Sequence, residues 1–584
     1  MKKNDAKNKT NQINTDITDT NTTDTDLTDR NITDTDQNKP VIKKITWDRM
    51  WIEFFISGVN DEDVYIENVR NSYKQPLTLP IDDTGYYISP DKAYGNGIKV
   101  LRLNITNPGD CRMLPLGVYN LTTSSGEKIQ LSEKIDAKLL NRRFIYFHNE
   151  REYRVQFSGK NNFKIKTSDI IREDISTLQR VSSFIRRSKY SAAKKILKLI
   201  YNCEYLFFHR KENVNVNEIK NPRILLMSDI SEEMGSNMAA LKHALMREGY
   251  KPDELLRAIT TKHYSIIHWI KSLKKIASAD FIFLDDHSQT TDWLKIKGSV
   301  VTQLWHAGAG FKSTGYSRFG MPASPAPVSG HRRYDYGIAG SKKIRHFFSE
   351  VWGINDDMVL PTGMPRLDEY LDEEYRKETT RKLLKTYPIL CKPSLSVVEE
   401  PVKRDNIILF APTYRGENKK DAYYPYDMLD MDRLYEVCRK THSIIIFKMH
   451  PFVSEPVPIP AEYKDRMLDL GSYPNINDLF YITDLLITDY SSNIYEFSLM
   501  RKPMLFYAYD IDEYTKERGF HRDYRRNVPG KIAETFDSMI DAIVNNDYEY
   551  NKVEEYISNN FDHTDTHACD RVIDWIIKGN LPTN

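Results

Sequence analysis

Residues 406–415 read NIILFAPTYR, 443–451 SIIIFKMHP, 485–492 LLITDYSS and 503–510 PMLFYAYD. Each opens on a short continuous apolar run and then breaks into polar residues. Runs of four or five residues that are apolar on both faces belong to strands buried on both sides, and strands alternating with helical stretches form parallel sheets. The same pattern occurs upstream in RILLMSD (223–229), followed by a helical stretch through MAALKHALMREG (238–249), in FIFLDD (281–286) and in VVTQLWHAG (300–308). This alternation runs for about 350 residues, enough for two such sheets. The expected fold class is therefore α/β, with two Rossmann-like lobes facing a cleft and ligands held beyond the carboxyl ends of the strands.

The pattern changes toward the N-terminus. Between 41 and 170 the pieces are WIEFFISGV (51–59), DVYIENV (63–69), GIKVLRLNIT (97–106) and YRVQFSG (153–159), with Gly, Asn and Pro breaks between them. Short alternating strands of this kind predict a small antiparallel accessory β domain. Residues 1–40 are rich in Thr and Asp, with seven aspartates between Asp16 and Asp36 against Arg30 alone. With almost nothing apolar to bury, this tail is expected to be disordered. Residues 171–215 hold a basic amphipathic segment in which Arg180, Arg186, Arg187, Lys189, Lys194, Lys195 and Lys198 share a helical stretch with no acid. Such a helix can lie on an anionic membrane surface or pack its apolar side on the protein. The remaining division is 216–370 for the first α/β lobe and 371–584 for the second.

Composition narrows the function classes. The 584 residues are 28% charged and 40% hydrophobic, and no run approaches the roughly 18 apolar residues of a membrane span. The start MKKNDAKNKT is not followed by an apolar stretch, so no secretory signal is expected. Five scattered cysteines show no metal-ligand spacing and read as reduced thiols. A net charge of +1 points to no nucleic acid partner.

Four polar clusters follow apolar strands. In the first, His306 precedes Gly308, Gly310 and Lys312, placing an imidazole beside a loop that can approach a phosphate. The second ends in Thr413 and Arg415, whose planar fork suits a phosphate or an ordinary salt bridge. The third joins Lys448 to His450 before Pro451. In the fourth, Asp489, Ser491 and Ser492 stand where a helix is expected to begin, so hydroxyls and free N–H groups converge as in an anion site. Asp285-Asp286-His287 reads as a strand-end turn rather than a ligand set.

In order along the chain, these clusters resemble the CDP-glycerol:poly(glycerophosphate) glycerophosphotransferase family of teichoic acid synthesis. The resemblance runs from about Leu225 to Phe536 through the loop Trp305 to Lys312, HRRYDY (331–336), LPTGMPRLD (360–368), APTYR (411–415), KMHP (448–451), DLLITDYSS (484–492) and KPMLFYAYDIDEYTKERGF (502–520). It implies a GT-B fold and transfer of glycerol phosphate or ribitol phosphate from a CDP-activated donor to a hydroxyl of a lipid-linked acceptor, with release of CMP. It also implies that His306 and His450 are catalytic and that Arg415, Lys448, Asp489, Ser491 and Ser492 surround the donor. Gly308, Gly310, Lys312 and Thr413 are further candidates for phosphate or acceptor contacts. The first lobe would then be the acceptor side and the second the donor side. The sequence departs from the family pattern at Ala307, where Gly is expected after the His, and at His521-Arg522, where an aromatic pair is common; both bear on substrate identity more than on reaction type. No tightly bound metal is expected, with Mg²⁺ accompanying the donor left open. A lipid-linked acceptor places the protein peripherally on the cytoplasmic face of a membrane. The competing expectation is a GT-B glycosyltransferase that uses a nucleotide sugar for capsule or wall polysaccharide.

Overall fold

The computed structural model describes residues 39–59, 62–81, 94–95, 97–146, 150–172, 174–208, 216–229, 231–256, 266–321, 324–391, 405–416 and 419–582. The tail expected to be disordered lies outside these residues up to position 38. Pro40 to Asn584 form one compact unit.

The accessory region consists of two sheets. One orders Tyr94–Gly95, Ile98–Asn104, Trp51–Ser57, Val41–Asp48 and Gln130–Leu131, antiparallel except for the last pairing. The other orders Lys74–Pro76, Val64–Asn68, Gly117–Thr123, Lys164–Ile171, Arg151–Ser158 and Arg142–Tyr146, antiparallel throughout. Alternate residues point inward, as Ile52, Phe54 and Ile56 do in the second strand of the chain, and the two sheets share one apolar core. That core also contains Tyr316 and Phe319, which lie far along the chain.

Two parallel six-stranded sheets follow. The first orders Asp253–Leu256, Ile224–Ser228, Phe281–Leu284, Val300–Gln303, Tyr336–Ile338 and Val359–Leu360. The second orders Met467–Asp469, Ser443–Phe447, Asn406–Phe410, Leu485–Thr488, Met504–Tyr507 and Lys531–Ala533. The strands quoted from the sequence are buried along almost their whole length, as Ile224–Ser228 and Ser443–Phe447 illustrate. In the second sheet the strand order reverses between Asn406–Phe410 and Leu485–Thr488, which opens a crevice at their carboxyl ends.

The C-terminal stretch does not stay with the second sheet. Asn559 and Asp562 bond to Ser341 and Gly340, the amides of Ala568 and Cys569 donate to Asp368, and Arg571 donates to the Thr362 carbonyl. The end of the block 371–584 thus crosses back to contact the first α/β half.

The basic segment forms the helix Thr177–Phe208. It packs against the helix Ile266–Ser278. Of the apolar residues on its described part, Tyr201 is buried, but Ile196, Leu199, Leu206 and Phe207 are 59–69% exposed. Ile267 and Ile270 on the neighbouring helix are exposed too. Lys194, Lys195, Lys198, Lys271 and Lys274 stand exposed on the same two helices. Among the described residues no helix is long and apolar enough to cross a membrane.

Candidate active site

A cavity of about 430 Å³ is lined from both α/β halves by Trp305 to Ala307, Ala309 to Thr314 and Arg318 on one side, and by Thr413, Tyr414, Tyr490, Ser492, Tyr514 and Arg518 on the other. Asp286, Phe347, Phe348, Val351 and His521 also line it.

His306 lies just beyond the strand Val300–Gln303, and Asp286 just beyond the adjacent parallel strand Phe281–Leu284. Parallel neighbours bring these ends together, and Asp286 Oδ2 is 3.2 Å from His306 Nδ1. The imidazole is exposed to the cavity and stacks on Trp305. Trp305 has φ +53°, a left-handed conformation that costs a bulky residue free energy. Its amide donates to Gln303 Oε1 and its carbonyl accepts from Asn237 Nδ2, which hold the bend that turns His306 outward. A carboxylate on one ring nitrogen leaves Nε2 as the basic atom.

His450 does not line this cavity, but its ring packs on Tyr414, which does. The Phe452 amide donates to His450 Nδ1 at 3.1 Å, so the neutral ring carries its proton on Nε2. Burial, with the charges of Lys312 and Lys448, pushes its pKa down to about 4. At neutral pH it is a hydrogen-bond donor without charge. Lys448 is buried and its Nζ donates to the Gly471 carbonyl, and its charge helps to lower the pKa of His450.

Arg415 is differently placed from the phosphate fork expected of it. Its Nε and Nη2 bond to both oxygens of Asp510, and Nη1 reaches Asp489 Oδ2 at 3.0 Å and the Thr413 carbonyl. Burial works against its charge, but Asp489 and Asp510 more than offset this and raise its pKa. Asp489 is fully buried and accepts from the amides of Thr413 and Tyr490. These three residues frame the crevice between the second sheet's central strands. Thr413 Oγ1 is buried with no partner among the described residues, a hydroxyl available to a ligand in the cavity it lines.

The Ser pair divides. Ser491 Oγ accepts from the Asn493 amide, whereas Ser492 is exposed and lines the cavity. The helix they precede spans only Ile494–Ser498. Gly308 does not line the cavity; a Cβ there would lie 2.4 Å from the Tyr495 ring, so the glycine lets the loop pack on the second half. Gly310, with φ +58°, and Lys312 do line the cavity.

Lys312 bridges to Phe520, the Ser313 amide donates to the Gly519 carbonyl, and the His521 amide donates to the Phe311 carbonyl. This short antiparallel pairing ties the His306 loop to the second half. His521 Nδ1 lies 3.3 Å from Glu350 Oε1, which also receives Arg49 of the β region at 2.6 Å, while Trp51 donates to Oε2. The departure at His521 is therefore a buried link between the cavity wall and the accessory sheets.

Asp286, read as part of a turn, and Arg318, Arg518, Tyr490 and Tyr514 were not among the site residues expected from the sequence. Asp286 carried a signal, standing just after a strand beside that of His306. The others required the tertiary arrangement. Among the described residues there is no group of three or more His, Cys, Asp or Glu side chains that could hold a metal ion.

Residues 208–578 match the CDP-Glycerol:Poly(glycerophosphate) glycerophosphotransferase family. The chain is 32% identical over 583 residues to the teichoic acid ribitol-phosphate polymerase TarL of Staphylococcus aureus (strain NCTC 8325 / PS 47), covering 92% of this chain and 99% of that one. It is 33% identical over 444 residues to the teichoic acid poly(ribitol-phosphate) polymerase of Bacillus spizizenii (strain ATCC 23059 / NRRL B-14472 / W23), covering 75% of this chain and 67% of the relative. The teichoic acid glycerol-phosphate primase of Bacillus subtilis (strain 168) is 27% identical and covers 53% of this chain and 76% of the relative. Among solved structures, a variant of the wall teichoic acid polymerase TagF superposes with a TM-score of 0.50 at 17% identity, over 69% of this chain and 98% of that one, a likeness of fold.

Proposed function

The chain belongs to the CDP-Glycerol:Poly(glycerophosphate) glycerophosphotransferase family, and on that premise we propose that it is a transferase that moves ribitol phosphate from CDP-ribitol to the terminal hydroxyl of a lipid-linked polyol-phosphate chain. Ribitol is favoured over glycerol because the match to a ribitol-phosphate polymerase takes in 92% of the chain, and so most of the β region. The match to the glycerol-phosphate primase takes in 53%.

The observation that carries the mechanism is the 3.2 Å contact of Asp286 with His306 Nδ1 in a cavity whose other charged walls include Lys312, Arg318 and Arg518. His306 Nε2 takes the proton of the acceptor hydroxyl as its oxygen attacks the polyol-bearing phosphorus. The bond from that phosphorus to the bridging oxygen breaks, and CMP leaves. Asp286 orients the imidazole and stabilises the imidazolium that forms. His450, neutral and donating from Nε2, stabilises charge on the phosphoryl or leaving oxygens, and the cations act in the same sense. Thr413 and Ser492 contribute hydroxyls, while Arg415 and Asp489 hold the framework of the donor side.

In this reading the two parallel sheets are the Rossmann-like lobes of a GT-B arrangement, with 41–170 as the accessory β domain. The exposed apolar residues and lysines of the helices Thr177–Phe208 and Ile266–Ser278 rest on the cytoplasmic face of the membrane, where the lipid-linked acceptor is presented.

The test is to incubate purified protein with a lipid-linked acceptor and either CDP-ribitol or CDP-glycerol, measuring CMP and sizing the product. CMP release from CDP-ribitol with a ladder of products is expected. No CMP from either donor, or nucleotide release from a sugar nucleotide instead, would overturn the reading.

A further inference from the structure

Arg318 and Arg518 enter the cavity from opposite halves of the α/β region. Arg318 closes the turn Gly315–Arg318, and Arg518 follows the helix Ile511–Glu517. Among the described residues each donates only to a backbone carbonyl, Arg318 Nη2 to Glu517 and Arg518 Nη2 to Gly416, both at 3.3 Å. Arg318 Nε is buried and has no hydrogen-bond partner among the described residues. Among the described residues no carboxylate forms an ion pair with either arginine or with Lys312, whose ammonium faces the Tyr514 ring at 5.7 Å in the same cavity. Burial and the nearby charge of Arg518 lower the pKa of Arg318.

Arginines in folded proteins that lose water and face a like charge are normally matched by an anion, because neither the desolvation nor the repulsion is otherwise offset. Arg318 is also prevented from swinging away. Its neighbours Tyr316 and Phe319 are buried in the β-region core, where Phe319 stacks on Phe144 at 5.6 Å. The accessory sheets thus hold one arginine at the cavity and the second α/β half supplies the other.

We propose that Arg318 and Arg518 form a phosphate subsite that closes on its ligand from both halves, separate from the groups that move the proton. Two planar guanidinium forks suit the tetrahedral oxygens of a phosphate. The ligand is either the diphosphate of the CDP donor or a phosphodiester of the acceptor chain. The subsite rests on the transferase reading for the identity of those two sources.

The test uses the full chain with Arg318→Gln, Arg518→Gln and the double substitution. KM is measured separately for CDP-ribitol and for the acceptor, the Kd of CDP by calorimetry, and Tm without ligand. One of the two KM values should rise about ten- to a hundredfold in each single variant, the range for a lost charge-assisted bond. A matching rise in the Kd of CDP assigns the donor diphosphate, and an unchanged Kd with a raised acceptor KM assigns the acceptor phosphodiester. Tm should hold or rise, since removing one of two neighbouring cations relieves repulsion; a residue with a merely structural role would lower it. Both KM values and the Kd of CDP within twofold of wild type would overturn the subsite, as would a fall in Tm accompanied by a change in kcat alone. Wild-type protein that releases no CMP would instead defeat the transferase reading, and the Kd of CDP in the variants would then judge the subsite alone, an unchanged value overturning it.

Discussion

Asp286 and His306 meet at 3.2 Å because they stand at the carboxyl ends of adjacent parallel strands, 20 positions apart in the chain. If this pair is the base and its orienting group, His306→Ala should lower kcat by about a hundred- to ten-thousandfold. Asp286→Asn should lower kcat by about tenfold or more and leave the KM of the donor near wild type. Steady-state CMP release checks both. A His306→Ala enzyme with half the wild-type turnover would remove His306 from the role of base.

His450 is expected to donate rather than to accept a proton. His450→Gln, which keeps an N–H donor, should retain more turnover than His450→Ala, whereas a base would be lost equally in both.

The same residue has a signature in stability. With its pKa pushed from 6.5 to about 4, the folded protein binds fewer protons at this ring than the unfolded chain does between those values. Stability is therefore lost as pH falls from about 6.5 and the loss is complete near 4. His450→Gln lacks this group, so its urea midpoint should fall less than that of wild type between pH 7.5 and pH 4.5. An identical fall in both proteins would contradict the depressed pKa.

Arg415 is expected to act as framework. Its side chain is 11% exposed and its partner Asp489 1%. Arg415→Ala leaves Asp489 and Asp510 facing each other without their cation, and removal of one member of a buried pair typically costs about 3–5 kcal/mol. The variant should show a lowered Tm together with lost activity, and Arg415→Lys should rescue little, since an ammonium cannot match both oxygens of Asp510 as the fork does. Unchanged Tm with a raised KM for the donor would instead make Arg415 a direct phosphate contact.

Membrane contact should depend on both charge and apolar exposure. Replacing Lys194, Lys195 and Lys198 by Gln should weaken sedimentation with anionic vesicles by about 1 kcal/mol for each cation near the lipid, an effect that fades as salt is raised. Replacing Leu199, Leu206 and Phe207 by Ser should weaken it at every salt concentration. Binding unchanged in both variants would exclude this face.

Much of the site was legible before the structure because motifs at strand ends are local. His306, Lys312, Thr413 and Ser492 line the cavity, and each was picked out by following an apolar strand. Partner choice was not legible. The acids that occupy the Arg415 fork lie 74 and 95 positions downstream, so a guanidinium that looked ready for phosphate is engaged by carboxylates. Gly308 read as an opening for a ligand, yet the space beside it is filled by Tyr495, 187 residues away. Asp286 read as part of a turn because the strand beside its own is set by sheet order, not by chain order.

By itself the sequence determined the α/β class, the antiparallel region before it and the positions of the polar clusters, since apolar periodicity and strand length are properties of a few consecutive residues. It also determined, through the ordered motifs, the family. The tertiary structure alone decided which imidazole has a carboxylate behind it, which arginine is already neutralised, and which two arginines line one cavity with no carboxylate paired to either among the described residues. Those are relations between residues tens to hundreds of positions apart. Their energies depend on distance and burial, which sheet order and the packing of the β region on the cavity wall create.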